Sequence, residues 1–365
     1  MQLEKTFFEL IQVALGTRVS LTHLPDANGW GMLYEMAKKQ SLIGICFAGV
    51  QKMQFQCKES LDLLYLKWMG MAAIIQQRNE VVNKQCVDLQ QRLAANGFYS
   101  AILKGQGVAA LYDNKLRFLR QAGDIDIYLA GGFDKVMAAA RMIAPVGKYT
   151  YVHAEWQVYP DTEVELHYRP SSLRNLIANR RFQRWAEVYD ANSYCTINGV
   201  TTPSIDFNRV YLLLHCYRHV IGAGIGLRQL MDYYFCLKSE KMDEGKRREL
   251  HGMLRSLGLY KFASAVMYVM KGVFNLEDCY LICEPNEKEG KYFLSQTMVG
   301  GNFGRHDTRV KAGSSWLKQN FRRVFMNLRY ALHYPGDLLW APIWRVYITY
   351  WKATHKLSTN LNYIK

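Results

Sequence analysis

The chain lacks several features that would place it in a membrane, outside the cell or around a cysteine-bound metal. It has no uninterrupted apolar run of the ~18 residues that a membrane-spanning helix needs. Its start, Met1-Gln2-Leu3-Glu4-Lys5, carries an acid where a signal peptide would be basic. The eight cysteines form no CxxC pair, so neither a common zinc motif nor a disulfide framework is indicated. These absences predict a soluble, reduced, cytoplasmic protein with no transmembrane segment.

Acidic residues are also scarce, with 31 Asp and Glu against 46 Lys and Arg and a net charge of +15. The residues from Gly304 to Lys365 contain eleven Lys or Arg and only two acids. Such an excess predicts a polyanionic partner, which can be a nucleic acid, an anionic membrane surface or a nucleotide. Because aromatic residues alternate with the basic ones in this tail, it is a candidate nucleic-acid surface. The competing interpretation is that amphipathic helices pack their aromatic residues on the core and leave the charges in water.

The order of hydrophobic patterns predicts an α+β fold in which a small mixed sheet is flanked by N- and C-terminal helical regions. The N-terminal region, 1–97, reads as helical, with a long amphipathic helix from Ser60 to the stop signal Asn96-Gly97. The region 98–170 combines strands and helices, with strands expected at 98–103, 124–129, 149–159 and 162–168. The remainder divides into a helical domain, 171–283, and a loop followed by the basic, aromatic-rich helical region, 284–365.

The segment Gly123-Asp124-Ile125-Asp126-Ile127 contains the clearest chemical signal. Residues two apart on a strand point to the same face, so the two carboxylates lie together and repel unless a cation separates them. Such a pair is typical of Mg²⁺ sites in phosphoryl and nucleotidyl transfer, where a third acid usually completes the site. Either Glu163 or Glu165 can provide that acid, on the same strand face as His167. The alternative is that the two aspartates are solvated edge residues or ion-pair partners.

A glycine-containing turn, Leu103-Lys104-Gly105-Gln106-Gly107, precedes the acids and opens a helix expected over 105–112. Small residues at such a turn let backbone N–H groups approach phosphate oxygens, and Lys104 adds a positive charge. Together with the acids, the turn predicts a phosphate-binding and metal-binding site.

These residues resemble the polymerase-beta-like nucleotidyltransferase superfamily, and more closely a bacterial branch of uncharacterised nucleotidyltransferases. The resemblance runs in order over residues 98–235 and rests on these motifs: Leu103-Lys104-Gly105, Arg120-Gln121-Ala122-Gly123-Asp124-Ile125-Asp126, Glu165-Leu166-His167, His215 with His219, and Leu227-Arg228 with Asp232. It departs from the wider superfamily at Lys104, where a glycine is usual, and in the long spacing from Gly105 to Asp124.

The resemblance implies the roles of the site residues. Asp124, Asp126 and Glu165 would be catalytic and hold Mg²⁺, expected as two ions, with Glu165 favoured over Glu163 because Leu-His follows it. The triphosphate of an NTP such as ATP would be bound by these residues: Lys104, Gly105, Arg120 and Gly123. The cleft would be lined by His167, His215, His219, Arg228 and Asp232, although Arg228 and Asp232 are also spaced for an i,i+4 ion pair.

The implied reaction moves an NMP from an NTP to an unidentified acceptor and releases pyrophosphate. Two other functions are compatible with the sequence. One is a non-enzymatic nucleic-acid-binding protein that uses the basic tail, and the other is a partner-binding module on an inactive nucleotidyltransferase scaffold. The acceptor itself is not indicated by any motif.

Overall fold

The computed structural model describes residues 2–113, 115–188, 194–307, 309 and 328–355, and only the backbone of residues 54–62. Four helices form the N-terminal region: α1 (Gln2–Leu15), α2 (Ala27–Lys39), α3 (Ile43–Lys52) and α4 (Gln54–Ala95). Later helices are α5 (Gln106–Ala109), α6 (Gly132–Ile143), α7 (Leu176–Val188), α8 (Ile205–Gly222), α9 (Leu227–Lys238), α10 (Glu244–Ser256), α11 (Tyr260–Phe274), α12 (Glu287–Gly300) and α13 (Pro335–Thr354). None of the helices described has the length and hydropathy of a membrane span.

A five-stranded mixed sheet confirms the predicted α+β class. Its strands are β1 (Ser100–Ile102), β2 (Ile125–Leu129), β3 (Val146–Tyr149), β4 (His153–Trp156) and β5 (Val164–His167). They lie in the order β1-β2-β5-β4-β3. The second and third strands in this order, β2 and β5, pair in parallel, and every other pairing in the sheet is antiparallel. The acid-bearing strands are therefore neighbours in the interior of the sheet.

The prediction of one strand over 149–159 was wrong, because the chain reverses at Thr150. The Thr150 hydroxyl accepts hydrogen bonds from the backbone N–H groups of Val152 and His153, each at 3.2 Å. Its own N–H donates to the His153 carbonyl at 2.8 Å. Such threonine-mediated turns compete with an extended strand. The turn splits the segment into β3 and β4 and brings His153 onto a strand beside β5.

A second, two-stranded sheet interrupts the region 171–283, which was predicted to be a helical domain. It consists of β6 (Tyr194–Ile197) and β7 (Val200–Pro203). The connecting residues, Asn198 and Gly199, have φ angles of +52° and +80°. An Asn-Gly pair between β-prone residues is a strong hairpin signal, so the sequence contained the information.

One helix boundary and one predicted loop also differ from the prediction. The long helix α4 begins at Gln54 instead of Ser60, so Ser60 lies inside it. The segment expected to be a loop after residue 284 contains α12, whose cap Asn286 accepts a hydrogen bond from the Glu289 N–H at 3.0 Å. Its glycine does not mark a loop, since a Cβ at Gly290 would lie 2.4 Å from the Tyr268 Cβ. Close helix packing requires a glycine there.

The sheet has one apolar and one polar face, as strand alternation requires. Ile125, Ile127 and Leu129 of β2 pack in a buried cluster with residues of α4 and α6, and each is at most 1% exposed. A separate core joins α1–α3 to the helices α8–α11. The predicted helical regions 1–97 and 171–283 therefore share one core. Residues of α8, among them His215, line a cavity together with Lys104 and Asp126 on the polar face of the sheet.

Part of the C-terminal region packs on the sheet cluster. Trp351 of α13 is 4% exposed, and its ring lies 5.3 Å from those of Phe133 and Tyr151. The basic side chains Arg345 and Lys352 are exposed. This arrangement agrees with packed aromatic residues and solvated charges for α13. Part of the candidate nucleic-acid surface, residues 310–327 of the basic tail, lies outside the described residues.

Candidate active site

Lys104 is brought to the two aspartates by the pairing of β1 with β2. The ladder continues past β1, since the Leu103 N–H donates to the Asp126 carbonyl at 2.9 Å. The next residue, Lys104, places its Nζ 2.9 Å from Asp126 Oδ2 and 3.6 Å from Asp124 Oδ2. A single ammonium group therefore lies against both carboxylates of the acidic pair.

Glu165 faces the same site from the parallel strand. Asp126 and Glu165 are register partners in the β2–β5 pair. Ligand oxygens of Asp124, Asp126 and Glu165 all lie within 4.8 Å of one another. Glu163 is exposed and precedes β5, where its backbone carbonyl accepts a hydrogen bond from the Ile125 N–H. Of the two glutamates that the sequence left open, the structure brings Glu165 to the aspartates.

Asp126 is only 1% exposed, which makes its charge costly unless it is compensated. Burial raises the pKa of Asp126, while the positive charge of Lys104 opposes that rise. Burial lowers the pKa of Lys104, but Asp126, Asp124 and Glu165 together raise it by more, so its pKa is raised overall. The lysine therefore remains protonated and supplies the cation that the buried acid requires.

Two histidines extend the polar face. His167 Nε2 lies 2.9 Å from Asp126 Oδ1 and 3.4 Å from Glu165 Oε2. His153 Nδ1 lies 2.9 Å from the same Glu165 oxygen. Burial lowers the pKa of His167, but its contacts with the two carboxylates raise that pKa overall. Burial also opposes ionisation of Glu165, yet its bonds to the two histidines hold its pKa well below the usual range.

Arg120 and Asp232 form a buried pair next to these acids. The Arg120 guanidinium donates to both oxygens of Asp232, each at 2.7 Å, and the Tyr112 hydroxyl donates to Oδ1 at 2.6 Å. Arg228 donates to the Gln121 carbonyl at 2.9 Å. The structure thus pairs Asp232 with Arg120 in place of the i,i+4 partner Arg228. Burial, followed by repulsion from Arg120, lowers the pKa of Arg228 to about 10.

Helix α8 carries His215 and His219, with ring centroids 4.4 Å apart. Burial lowers the pKa of His219 to about 3, and the pKa of His215 is also lowered by burial and by its neighbour His219. Both imidazoles are therefore neutral near pH 7. His215 lines the same small cavity as Lys104, whereas His219 packs against Phe303, with ring centroids 4.9 Å apart.

The helix after the glycine-containing turn is shorter than predicted. It spans a single turn, Gln106–Ala109, so its dipole would add little to the predicted phosphate site. A Cβ at Gly107 would lie 2.2 Å from the Ile102 carbonyl, which shows that this glycine allows close packing on β1. Gly105 adopts a φ of +59° and lines the cavity with Gly123.

Several residues that support the site were not recognised in the sequence. Asn79 of α4 is 1% exposed and donates to the backbone carbonyls of Phe118 and Arg120. Arg78, which breaks the apolar stripe of that helix, donates to the Asp161 carbonyl at 2.7 Å and to Thr162. Polar residues within an otherwise apolar helical stripe were the available signal. They hold the two segments that lead into β2 and β5.

Tyr211 and Phe303 were also missed. Tyr211 is fully buried, and within the described part of the chain its hydroxyl has no hydrogen-bond partner. Burial raises the pKa of this hydroxyl, and the negative charge of Asp126 raises it further. Phe303 lines the cavity from the turn after α12. Only the fold brings these distant residues to the sheet.

The cavity bounded by Lys104, Asp126, His215, Arg228 and Phe303 has a volume of about 30 Å³. Ligand pockets usually measure about 300 Å³ or more, so a nucleotide can enter only if lining side chains move. A larger cavity of about 340 Å³ lies elsewhere, beside α8 and α10, and none of the three clustered acids lines it. The convergent charges, and not the cavity size, identify the site.

Comparison with known proteins identifies the family of the chain. The family model described as "Uncharacterised nucleotidyltransferase" matches residues 26–275. No curated protein matches significantly. A solved structure, an antigenic nucleotidyltransferase-like protein from Paracoccidioides brasiliensis, is 15% identical, with 53% of this chain and 96% of that chain covered. Its TM-score is 0.31, and no argument about fold or site rests on it.

Proposed function

Because this chain belongs to the family of uncharacterised nucleotidyltransferases, we propose that it transfers an NMP from an NTP to an acceptor group in a Mg²⁺-dependent reaction that releases pyrophosphate. The observation that carries this proposal is the convergence of Asp124, Asp126 and Glu165 from β2 and β5. Membership of this family supports nucleotidyl transfer in general. We propose in addition that the metal is Mg²⁺, that the donor is an NTP and that the three acids bind the metal.

The donor set fits a hard divalent cation. Three carboxylates offer oxygen ligands within 4.8 Å of one another, and oxygen is the ligand type that Mg²⁺ prefers. Asp124, Asp126 and Glu165 would hold Mg²⁺, as one or two ions. When bound, Mg²⁺ would neutralise charge on the triphosphate and position its α-phosphorus for attack. Glu165 is proposed as the third acid in preference to Glu163, which is exposed.

Lys104 has two proposed roles that depend on whether a nucleotide is present. In the structure, the ammonium group of Lys104 balances the negative charges of Asp126 and Asp124. A bound metal would provide that compensation, which frees the flexible lysine side chain to contact a phosphate oxygen. The same movement enlarges the small cavity next to Gly105 and Gly123. Lys104 would thus exchange a carboxylate partner for a phosphate partner.

Arg228 is the second candidate for the phosphates. Its guanidinium lines the cavity, and within the described part of the chain it donates a hydrogen bond only to the Gln121 backbone carbonyl. Arg120 is held by both oxygens of Asp232 and is 4% exposed. We therefore propose that Arg228 contacts the triphosphate directly. Arg120 would stabilise the site through its ion pair with Asp232. Neutral His215 would line the cleft beside them.

Transfer of label from each α-labelled NTP in a cell extract with Mg²⁺ tests the proposed reaction. We expect one NTP to label a protein, small-molecule or RNA fraction with wild-type protein, and we expect no labelling with Asp124→Asn. The fraction that carries label gives the acceptor class. Equal labelling by both proteins would contradict the metal assignment. Labelling by neither, combined with salt-sensitive RNA binding that Asp124→Asn retains, would favour the non-enzymatic alternative.

Lys104→Gln should separate metal binding from nucleotide binding. Without the ammonium, Asp124 and Asp126 lose their resident counter-charge, so Mn²⁺ should bind more tightly in the absence of nucleotide. Loss of one charged phosphate contact, worth about 1.5–3 kcal/mol, should weaken NTP binding by roughly 10- to 150-fold. Mn²⁺ binding by electron paramagnetic resonance and NTP binding by calorimetry measure the two effects.

The matched control is Lys115→Gln, which changes an exposed lysine and should alter neither affinity. Weaker Mn²⁺ binding by the Lys104 variant would show that the ammonium does not compete with a metal. Unchanged NTP affinity would show that it does not reach the phosphates.

A further inference from the structure

The polar face of the sheet continues beyond the three acids into a cluster that contains two imidazoles. His153 on β4 and His167 on β5 are register partners in an antiparallel pair. Their ring centroids are 5.0 Å apart. Glu165 lies two residues from His167 on the same strand face and contacts both rings through Oε2. Ligand atoms of His153, Glu165 and His167 all lie within 4.8 Å of one another.

The orientation of the His167 ring suits a metal ligand. Its Nδ1 lies 3.3 Å from the Arg169 carbonyl, which directs the other nitrogen, Nε2, into the site. Metal-bound histidines usually donate the second ring N–H to a backbone carbonyl or a carboxylate in this way. His167 is 4% exposed and is the last residue of β5. The nitrogen that points inward faces carboxylate oxygens of Asp126 and Glu165.

Glu165 belongs to both clusters. It joins Asp124 and Asp126 on one side and the two histidines on the other. The shared carboxylate follows from the sheet order, because β5 lies between the aspartate strand β2 and the histidine strand β4. Carboxylates that lie between two ligand sets are suited to bridging two ions.

We propose that His153, Glu165 and His167 form a second metal position, which takes a first-row transition-metal ion such as Zn²⁺ or Co²⁺ in preference to Mg²⁺. Imidazole nitrogen suits such ions, whereas Mg²⁺ favours all-oxygen sites. The two positions therefore differ in the metal they select and share Glu165. This inference rests on the proposed function only through that shared residue, since the histidine position is defined by its own ligands.

Binding of Co²⁺ to the full chain without nucleotide tests the proposal, with calorimetry for affinity and visible absorption for the ligand field. We expect wild-type protein to bind Co²⁺ with a spectrum of mixed nitrogen and oxygen ligation. His153→Ala should weaken binding by at least about 10-fold, since even residues that only support a metal ligand contribute that much. Asp124→Asn should keep the Co²⁺ spectrum because Asp124 is not in the histidine cluster.

Two further variants complete the design. His23→Ala removes an exposed histidine far from the sheet in sequence and should leave Co²⁺ binding unchanged. His167→Asn should weaken Co²⁺ binding as His153→Ala does. The quarter-exposed His153 side chain is the safer position for folding, with 25% of its surface accessible. Co²⁺ affinity that is equal in wild type and His153→Ala would overturn the proposal.

Mg²⁺-dependent NTP binding, measured on the same variants, separates this proposal from the nucleotidyltransferase mechanism. If His153 does not affect Co²⁺ binding but Asp124→Asn abolishes NTP binding, the second metal position is wrong and the proposed function stands. If Co²⁺ binding depends on His153 but no NTP binds, the metal position stands and the proposed function fails.

Discussion

Asp126→Asn is expected to reduce Mg²⁺-dependent NTP binding by at least about 100-fold. The side chain is 1% exposed and lies between Lys104 and His167, so no solvent rearrangement can replace its charge. Asparagine preserves the shape and removes the negative charge that a divalent cation needs. Loss of residues that only support a metal ligand already costs about 10- to 100-fold in metal affinity. Calorimetry with each NTP, with and without Mg²⁺, measures the effect.

Glu163→Gln and Glu165→Gln provide a matched pair for this prediction. Both remove one carboxylate within the same short segment, but only Glu165 has an oxygen in the acidic cluster. We expect Glu165→Gln to weaken Mg²⁺-dependent binding and the exposed Glu163 variant to behave like wild type. Wild-type affinity in Asp126→Asn, or a larger loss at Glu163 than at Glu165, would contradict the assigned metal site.

Asp232→Ala is expected to destabilise the protein by about 3–5 kcal/mol, the range for breaking a buried ion pair from one side. Arg120 and Asp232 are 4% and 5% exposed, and two hydrogen bonds of 2.7 Å join them. Removal of the carboxylate leaves the guanidinium buried without its anion and leaves the Tyr112 hydroxyl without its acceptor. Urea unfolding followed by circular dichroism gives the change in the free energy of unfolding.

Glu287→Ala serves as the comparison for an exposed ion pair. Glu287 and Lys291 are 69% and 64% exposed in their side chains, and such pairs add little to stability. We expect little change in the free energy of unfolding for this variant. A similarly small change for Asp232→Ala would show that the Arg120–Asp232 ion pair adds little to stability. Arg120 would then again be a candidate for direct phosphate binding.

Local patterns in the sequence anticipated the central elements of the site. The spacing of Asp124 and Asp126 predicted one shared strand face. In the structure, Asp126 is the second residue of β2 and Asp124 immediately precedes that strand. The Glu-Leu-His pattern predicted that Glu165 and His167 share a face, which β5 confirms. Strand periodicity is a property of the backbone, so such predictions need no knowledge of distant residues.

The sequence predicted the boundaries of helices and strands, and the packing partners of single residues, less well. The break at Thr150, the hairpin at Asn198-Gly199 and the helix α12 each depended on local turn or cap chemistry that the broad hydrophobic pattern conceals. The same applies to Gly290, whose role as a packing glycine depends on Tyr268 of another helix. Helix α12 is therefore polar and contains glycine, as a loop often does, and composition alone did not reveal it as a helix.

The sequence by itself determined the α+β class, the acidic strand face and the family of this protein, because each follows from short-range spacing or from ordered motifs. Only the tertiary structure decided which groups meet. It placed Lys104 against the aspartates, paired Asp232 with Arg120, and set His153 beside His167. These contacts join residues up to more than one hundred positions apart, and their geometry arises from strand order and helix packing that no local pattern records.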